Sequence, residues 1–489
     1  MAISALTPPT KHEDVQETRL EFPDNRLLID LFGEFNRNLA QIEQALPSRI
    51  EVGPHIANGN DALRLLNEEH WDLFVTEIML AGREMVVGKL PQQANTWVNK
   101  HLTYTHGYGL AASPVNEVTG EGLPRLFVKD LPPSFEPDLK IERPEIYYGE
   151  KTAAYVLVKT KTEEFDYPKG DKNVYTIYQG RGGVPIKSFF RRLLFAIEFL
   201  DPQILFTTYL SPESRIMYNR RIARRVGVIA PFLDYDSDPY LVVSARKLYW
   251  IQDAYTTSDM YPYSRRSYGR LKNKELNYIR NSVKVTVDAY NGDVVFYIID
   301  EKDPIVKTYA SIFPDLFKPF KEMPADLKKH IRYPKDFFKI QVDTYRKYHM
   351  EDVQVFYNQE DLWQIPDEIY GENRQKMEPY YIILKLPEEQ KEEFFLMTPF
   401  TPSKKDNMIG WLAARSDFPN YGNLIVYKLP KDQLVYGPMQ IEARVDQQVI
   451  RPHPGRQAGL HARGQEIPHL RYHIIIVRHF LHGSRRALH

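Results

Sequence analysis

The apolar positions of this chain are spaced differently in its successive parts. Leu27, Leu28, Leu31, Phe35, Leu39, Ile42 and Leu46 recur at steps of three and four, interrupted by Gly33 and ended by Pro47, which predicts one or two amphipathic helices. A further helix is expected over 73–87 (LFVTEIMLAGREMVV). Later in the chain, AAYVLVKTK, NVYTIYQG, PYLVVSA and KLYWIQDAY read as strands bounded by Pro, Gly or Asp, with helices expected in SFFRRLLFAIEFL and SPESRIMYNRRIARRVGVIA. The clearest local signal is SVKVTVDAYNGDVVFYIID. Val283, Val285, Val287 and Ala289 alternate there with Lys284, Thr286 and Asp288, and Asn291-Gly292 offers the positive φ angles of a tight turn before a second apolar run. A β-hairpin is expected. Helical stretches around 303–348 follow, then strands in YYIILKL, EFFLMTPF, MIGWLAAR and GNLIVYKL. Helices and antiparallel strands alternate without a regular βαβ beat, so the expected class is α+β, with mixed, mainly antiparallel sheets and interspersed helices.

Composition refines this picture. The length of 489 residues predicts two to four domains, and 43% hydrophobic with 26% charged residues is the balance of a globular chain. Thirty-five Pro and 32 Tyr fit short strands joined by rigid loops, with aromatic rings that carry one polar tip. Lys plus Arg and Asp plus Glu are 64 each, so no global field steers the molecule toward nucleic acid, and no nucleic-acid partner is expected. With no Cys, disulfides, thiolate nucleophiles, iron–sulfur clusters and Cys-based zinc sites are excluded. No run reaches the roughly 18 apolar residues of a membrane span, and the first residues lack the apolar core of a secretory signal. Three segments are expected: 1–70 helical, 71–447 α+β, and 448–489 a tail. The last forty residues hold seven of the fourteen His, seven Arg, one acid (Glu466) and no Lys. The rest of the chain therefore carries a net acidic excess of six. A metal-binding tail is one reading of the His content; an artefactual or foreign tail, as from wrong-frame translation, is the preferred one.

Candidate chemistry is sparse. The glycines Gly180, Gly182 and Gly183 ahead of Lys187-Ser188 fail the phosphate-loop pattern, which needs Gly where Arg181 and Ile186 stand. Asp234, Asp236 and Asp238 alternate like the start of an EF-hand loop, but Pro239 and Ala245 occupy the positions that need Gly and Glu, leaving only a looser hard-cation site or an acidic turn. Arg191, Arg192, Arg215, Arg220, Arg221, Arg224 and Arg225 could hold an anionic head group or form a solvated face. Two polar, aromatic loops could line a site. In YTHGYGLAASPVNEV the catalytic candidates are His106 and Glu117, with Tyr104 and Tyr108 as ligand-binding candidates; in YWIQDAYTTSDMYPYS they are Asp253 and Asp259, with Tyr255, Tyr261 and Tyr263. An enzyme requires His106, Glu117, Asp253 and Asp259 to meet in one pocket. No nucleophile elbow, HExxH, dinucleotide fingerprint or kinase signature is present, and no cofactor is expected.

Two resemblances complete the reading. LEFPDNRLLIDLFGEFNRNLAQIEQAL at 20–46 resembles the small domain that precedes the ATPase core of PhoH-like proteins, and carries no chemistry. Far longer stretches, including LPQQANTWVNKHLTYTHGYGLAASPVNEV, TKTEEFDYPKGDKNVYTIYQGRGGVPIKSFFRRLLFA, PESRIMYNRRI, LYWIQDAYTTSDMYPYS and NYIRNSVKVTVDAYNGDVVFYIIDEKDPI, resemble a family of functionally uncharacterised bacterial and actinobacterial membrane proteins. This resemblance covers about 75–447. It implies a location at the cell membrane, with the matching region extracytoplasmic and joined to transmembrane helices that this chain lacks. The chain then reads as a fragment or chimera of that family. The expected role is binding or scaffolding in the cell envelope, toward a partner the residues do not name. The alternative is an envelope hydrolase using the carboxylates and His of the 103–117 and 253–263 loops.

Overall fold

A computed structural model describes residues 78–449, apart from 115–125, 130–133, 136–140, 171, 268–270, 272–274, 371–372, 387–388, 390 and 431–433. The helices expected before residue 70, the PhoH-like stretch, Glu117 and the His/Arg tail lie outside the described residues.

Long apolar alternation builds the centre. A six-stranded sheet runs in the order Asp234–Tyr235, Lys247–Ser258, Tyr278–Asp288, Val294–Ile298, Phe317–Pro319, with Tyr240–Ser244 also paired to Lys247–Ser258. Among these pairings only that of Val294–Ile298 with Phe317–Pro319 is parallel. A second sheet of five strands follows in the chain, ordered Trp363–Gln364, Glu393–Pro402, Gly410–Arg415, Leu424–Lys428, with Tyr380–Leu384 on the same long strand. Ahead of the centre lie a four-stranded sheet starting at Ile78–Gly82 and a three-stranded one in which Arg215–Met217 is the middle strand. Helices Phe189–Glu198, Ile222–Ile229, Pro304–Ile312, Lys335–Tyr348 and Pro438–Val449 are interspersed. The class is α+β, as the pattern predicts.

Both faces of the central sheet are covered. Val283, Val285 and Val287 pack with Trp250, Ala254 and Phe296 on one side. On the other, Ile251 and Val242 pack under Met323, Leu327 and Ile331. Lys284 and Thr286, the polar partners in the alternation, are therefore buried as well. Helix Lys335–Tyr348 then joins the second sheet, with Phe338 and Val342 against Leu396, Phe400 and Leu412. Each fully buried side chain of this kind contributes about 1.5–3 kcal/mol.

Three local expectations are corrected. The helix expected over 73–87 is, where described, the strand Ile78–Gly82, paired antiparallel to Leu110–Pro114. At its last residue, Gly82, a Cβ would stand 3.2 Å from Ile146 and 3.3 Å from Leu241, so a side chain there would have to displace them. The helix expected over 211–230 divides into strand Arg215–Met217 and helix Ile222–Ile229, because Ile216 pairs with Val184 on one side and Leu157 on the other. The hairpin exists, yet its turn is not a two-residue one. Val287 faces Val294, and the Asp288 carboxylate accepts from the backbone N–H of Tyr290 and Asn291, both at 2.8 Å. Only Gly292 takes a positive φ, +74°, with the Tyr148 ring so close that a Cβ would fall 2.4 Å from it. Asn291 instead uses its side-chain oxygen to accept from Tyr178 Oη (2.8 Å) and Arg181 N–H (3.0 Å).

Candidate functional site

The central sheet holds a buried charge network. Asp253 and Lys284 face each other across the strand pair, and the Lys284 ammonium donates to Asp253 Oδ1 and, at 3.0 Å, to the Arg332 carbonyl. Asn281 Nδ2 donates to the same Asp253 oxygen at 3.0 Å, and Tyr421 Oη donates to Asn281 Oδ1 at 3.1 Å. The Arg332 guanidinium lies between the rings of Tyr240 and Tyr381, 3.9 and 4.5 Å from their centroids, and donates to Asp238 at 2.7 Å. Asp236 accepts from Tyr255 Oη (2.5 Å) and from the Asp336 N–H (2.9 Å), while Asp336 accepts from the Ser237 N–H (2.8 Å). Burial, with Asp336 and Asp253 nearby, pushes the Asp236 carboxyl up to about 6. Burial likewise lowers the Lys284 ammonium, against the pull of Asp253.

A second network lies around His106. Glu164 is buried and accepts from Thr105 Oγ1 (2.5 Å), Tyr147 Oη (2.8 Å) and the Tyr178 N–H (3.1 Å). Arg220, fully enclosed, donates to three backbone carbonyls: Tyr147 (2.7 Å), Ala154 (3.0 Å) and Thr105. His106 stacks obliquely on Tyr147 at 4.8 Å, and burial lowers its imidazole to about 4, so it is neutral at ordinary pH. Burial, then Glu145 and Glu164, raises Asp166 to about 7. His106 Nε2, Glu145 Oε2 and Asp166 Oδ1 find no hydrogen-bond partner among the described residues. A carboxyl held near neutrality and an unpaired imidazole nitrogen are groups that can exchange a proton.

The structure distributes the predicted residues unevenly. Tyr104, against Phe165, and Tyr108, against Tyr167, border the His106 network. Asp253, Tyr255 and Asp236 belong to the central one. Asp234 accepts from Thr257 Oγ1 at 2.7 Å and Asp238 from Arg332, so the alternating aspartates are each engaged by protein groups. Among the described residues no three His, Asp or Glu side chains converge as a metal-ligand set. Asp259, Tyr261 and Tyr263 are exposed. His106, Asp253 and Asp259 thus have separate surroundings. The arginine run also divides: Arg215 donates to the carbonyls of Arg181, Gly182 and Gly183, and Arg225 to Gly292, so these serve the framework. A depression of about 670 Å³ lined by Asp300, Lys302, Phe320 and Lys328 shares no residue with either network.

Sequence reasoning missed Lys284, Arg332, Asp336, Glu164 and Asp166, and it read Arg220 as part of an anion-holding or solvated face, whereas Arg220 is buried and bound to backbone carbonyls. Only Lys284 left a trace, a single cation inside an apolar β run; the others depend on neighbours remote in the chain.

Comparison with known proteins gives the family. The model of the Uncharacterised protein family (UPF0182) matches residues 61–450. The chain belongs to this family. UPF0182 proteins of Sulfurovum sp. (strain NBC37-1) and Desulforamulus reducens are 59% identical over 374 residues and 58% over 372, in each case 76% of this chain. The UPF0182 protein of Methanospirillum hungatei JF-1 is 54% identical over 373 residues. The matched region spans only 40–41% of the length of these relatives. No solved structure matches the chain. Both networks and the central hairpin fall inside the family match. The names of these relatives state no activity.

Proposed function

We propose that this chain is a binding or scaffolding region of the cell envelope, extracytoplasmic in full-length relatives and attached there through membrane segments outside it. The observation that carries the reading is the loop after strand Lys247–Ser258. Met260, Tyr261 and Tyr263 project from it into solvent, Tyr263 completely. The loop is nevertheless fixed. Asn277 accepts from the Tyr261 N–H at 3.0 Å and donates to the Tyr261 carbonyl at 2.7 Å, and Ser264 Oγ donates to the Asn277 carbonyl at 3.0 Å. Tyr263 is held at φ +59°, a conformation that a non-glycine residue keeps only where its surroundings impose it. Rigid, exposed aromatic side chains bind with little loss of conformational entropy. The candidates His106 and Asp253, by contrast, are enclosed in two separate networks and Asp259 stands apart in solvent, which supports binding over hydrolysis.

Photo-cross-linking from Tyr263→p-benzoylphenylalanine in the full chain tests this. A discrete adduct, lost when Asn277→Ala releases the loop, is the expected result. Absence of any adduct, together with hydrolysis of envelope polymers abolished by Asp253→Asn or His106→Gln, would replace the reading by the hydrolase one.

A further inference from the structure

Helix Phe189–Glu198 is apolar on both sides. Inward, Ala196 is buried and Phe195 and Phe199 pack with Trp97, Tyr155, Ile204 and Leu210. Outward, Phe190, Leu194 and Ile197 fall at steps of four and three, one helix stripe, and are 74%, 66% and 61% exposed. Phe189, Leu200 and Phe206, in and just after the helix, are exposed as well, Leu200 and Phe206 at 88% and 80%. A surface helix ordinarily turns polar residues to water, and single exposed apolar side chains are common where a contiguous set is not. This set therefore marks a contact face.

Positive charge gathers at the N-terminal end of this helix, while Glu198 and Asp201 lie at its C-terminal end. From Lys172 to Ile197 the chain has five Lys or Arg and no Asp or Glu. Arg181 is paired with Asp293 at 2.7 Å. Lys187, Arg191 and Arg192, at the start of the helix, form no ion pair among the described residues; Arg191 and Arg192 each donate to one carbonyl, Pro185 (3.1 Å) and Ile186 (2.9 Å). Cations at a helix N-terminus oppose its dipole, so local stability does not account for them. Protruding Phe, Leu and Ile beside a row of Lys and Arg is the arrangement by which a helix lies in an anionic lipid surface, with apolar side chains below the head groups and cations among them.

We infer that the 189–206 face docks on an anionic lipid bilayer. The side chains stand out from the surface rather than line a pocket, whereas anchors of protein interfaces typically fill pockets on the partner. A second copy meeting this face about a two-fold axis would bring like charges together. The inference involves no residue of the 260–264 loop, so failure of either proposal leaves the other intact.

Sedimentation of the full chain with vesicles tests it. Binding to equimolar phosphatidylcholine and phosphatidylglycerol is expected to be roughly hundredfold tighter than to phosphatidylcholine alone, as three cations at an anionic surface require. Phe190→Ser with Leu194→Ser should abolish binding, and Lys187→Gln with Arg191→Gln should abolish the anionic preference. Because the chain lacks Cys, Leu194→Cys gives one attachment point for a polarity-sensitive dye. Its emission should shift to the blue on anionic vesicles, while a dye on Tyr357→Cys should not respond; this readout does not depend on how the serine variants fold. No binding by the unmodified chain, unchanged binding by a folded serine variant, or equal dye shifts at both positions would overturn the inference. So would a dimer dissolved by the serine changes, or selective binding of polyglutamate without vesicle binding, which would assign the face to a second copy or to an acidic protein.

Discussion

Lys284 and Asp253 stand opposite each other on adjacent antiparallel strands and form an ion pair that solvent does not reach. Such a pair adds little net stability, since bringing both charges out of water offsets their attraction, but breaking it leaves a charge buried alone. Asp253→Ala is therefore expected to cost about 3–5 kcal/mol, and Lys284→Met with Asp253→Leu to recover most of it. Urea denaturation of the three proteins checks this; a double variant no better than the single one would show that the pair does more than neutralise itself. In Asp253→Ala the unfolded chain should hold the Lys284 proton more tightly than the folded one, so its stability should rise with pH toward the ordinary lysine value.

His106 gives a pH dependence of defined sign. Its folded value of about 4 lies below the ordinary 6.5, so between these the unfolded chain takes the proton and acid favours unfolding. The contribution is complete above pH 6.5 and is lost as pH falls toward 4, amounting to about 3 kcal/mol. His106→Phe should abolish that loss, and the difference from the unmodified protein should grow on acidification. A constant difference across the range would refute it.

Asp166 acts in the opposite direction. Its folded value of about 7 lies above the ordinary 3.8, so the folded state holds the proton more tightly and stability falls as pH rises from 4 to 7. Asp166→Asn should be increasingly favourable over this range and level off above pH 7. Thermal melts at successive pH values read both effects.

Arg220 ties three chain segments through backbone carbonyls, and nothing else described replaces its donors there. Arg220→Met should cost several kcal/mol by leaving buried carbonyls unpaired, with Arg220→Lys recovering part. Equal stability of the Met and Lys variants would argue against this role.

Asn277→Ala should speed amide hydrogen exchange at Tyr261 and its neighbours while leaving the Val283–Val287 strand protected, because its bonds fix the loop and not the sheet. Unchanged exchange in the loop would show that other contacts hold Tyr263 in place.

Much of the strand framework was legible. The alternation of Val283, Val285 and Val287 predicts the strand pair without reference to the rest of the chain, because side chains of a strand point to opposite faces whatever lies beyond them. The strand Ile78–Gly82 was not legible, since its partner, Leu110–Pro114, is remote and five residues of mixed apolar character suit a helix equally well. Of the site candidates, His106 and Asp253 prove to be buried, and their surroundings were not legible in the sequence.

By itself, then, the sequence determined the α+β class, the principal strands and the exclusion of thiol chemistry. The tertiary structure decided which polar groups lose water. Lys284 reads as the outward half of an alternating strand; it is buried with the Arg332 carbonyl and the Tyr421 ring, brought from other parts of the chain, against its ammonium. Phe190 and Leu194 read only as apolar positions of an expected helix; they are exposed, while Phe195, Ala196 and Phe199 of the same segment meet the core. Local pattern fixes direction along an element, while desolvation depends on what the rest of the chain places over it.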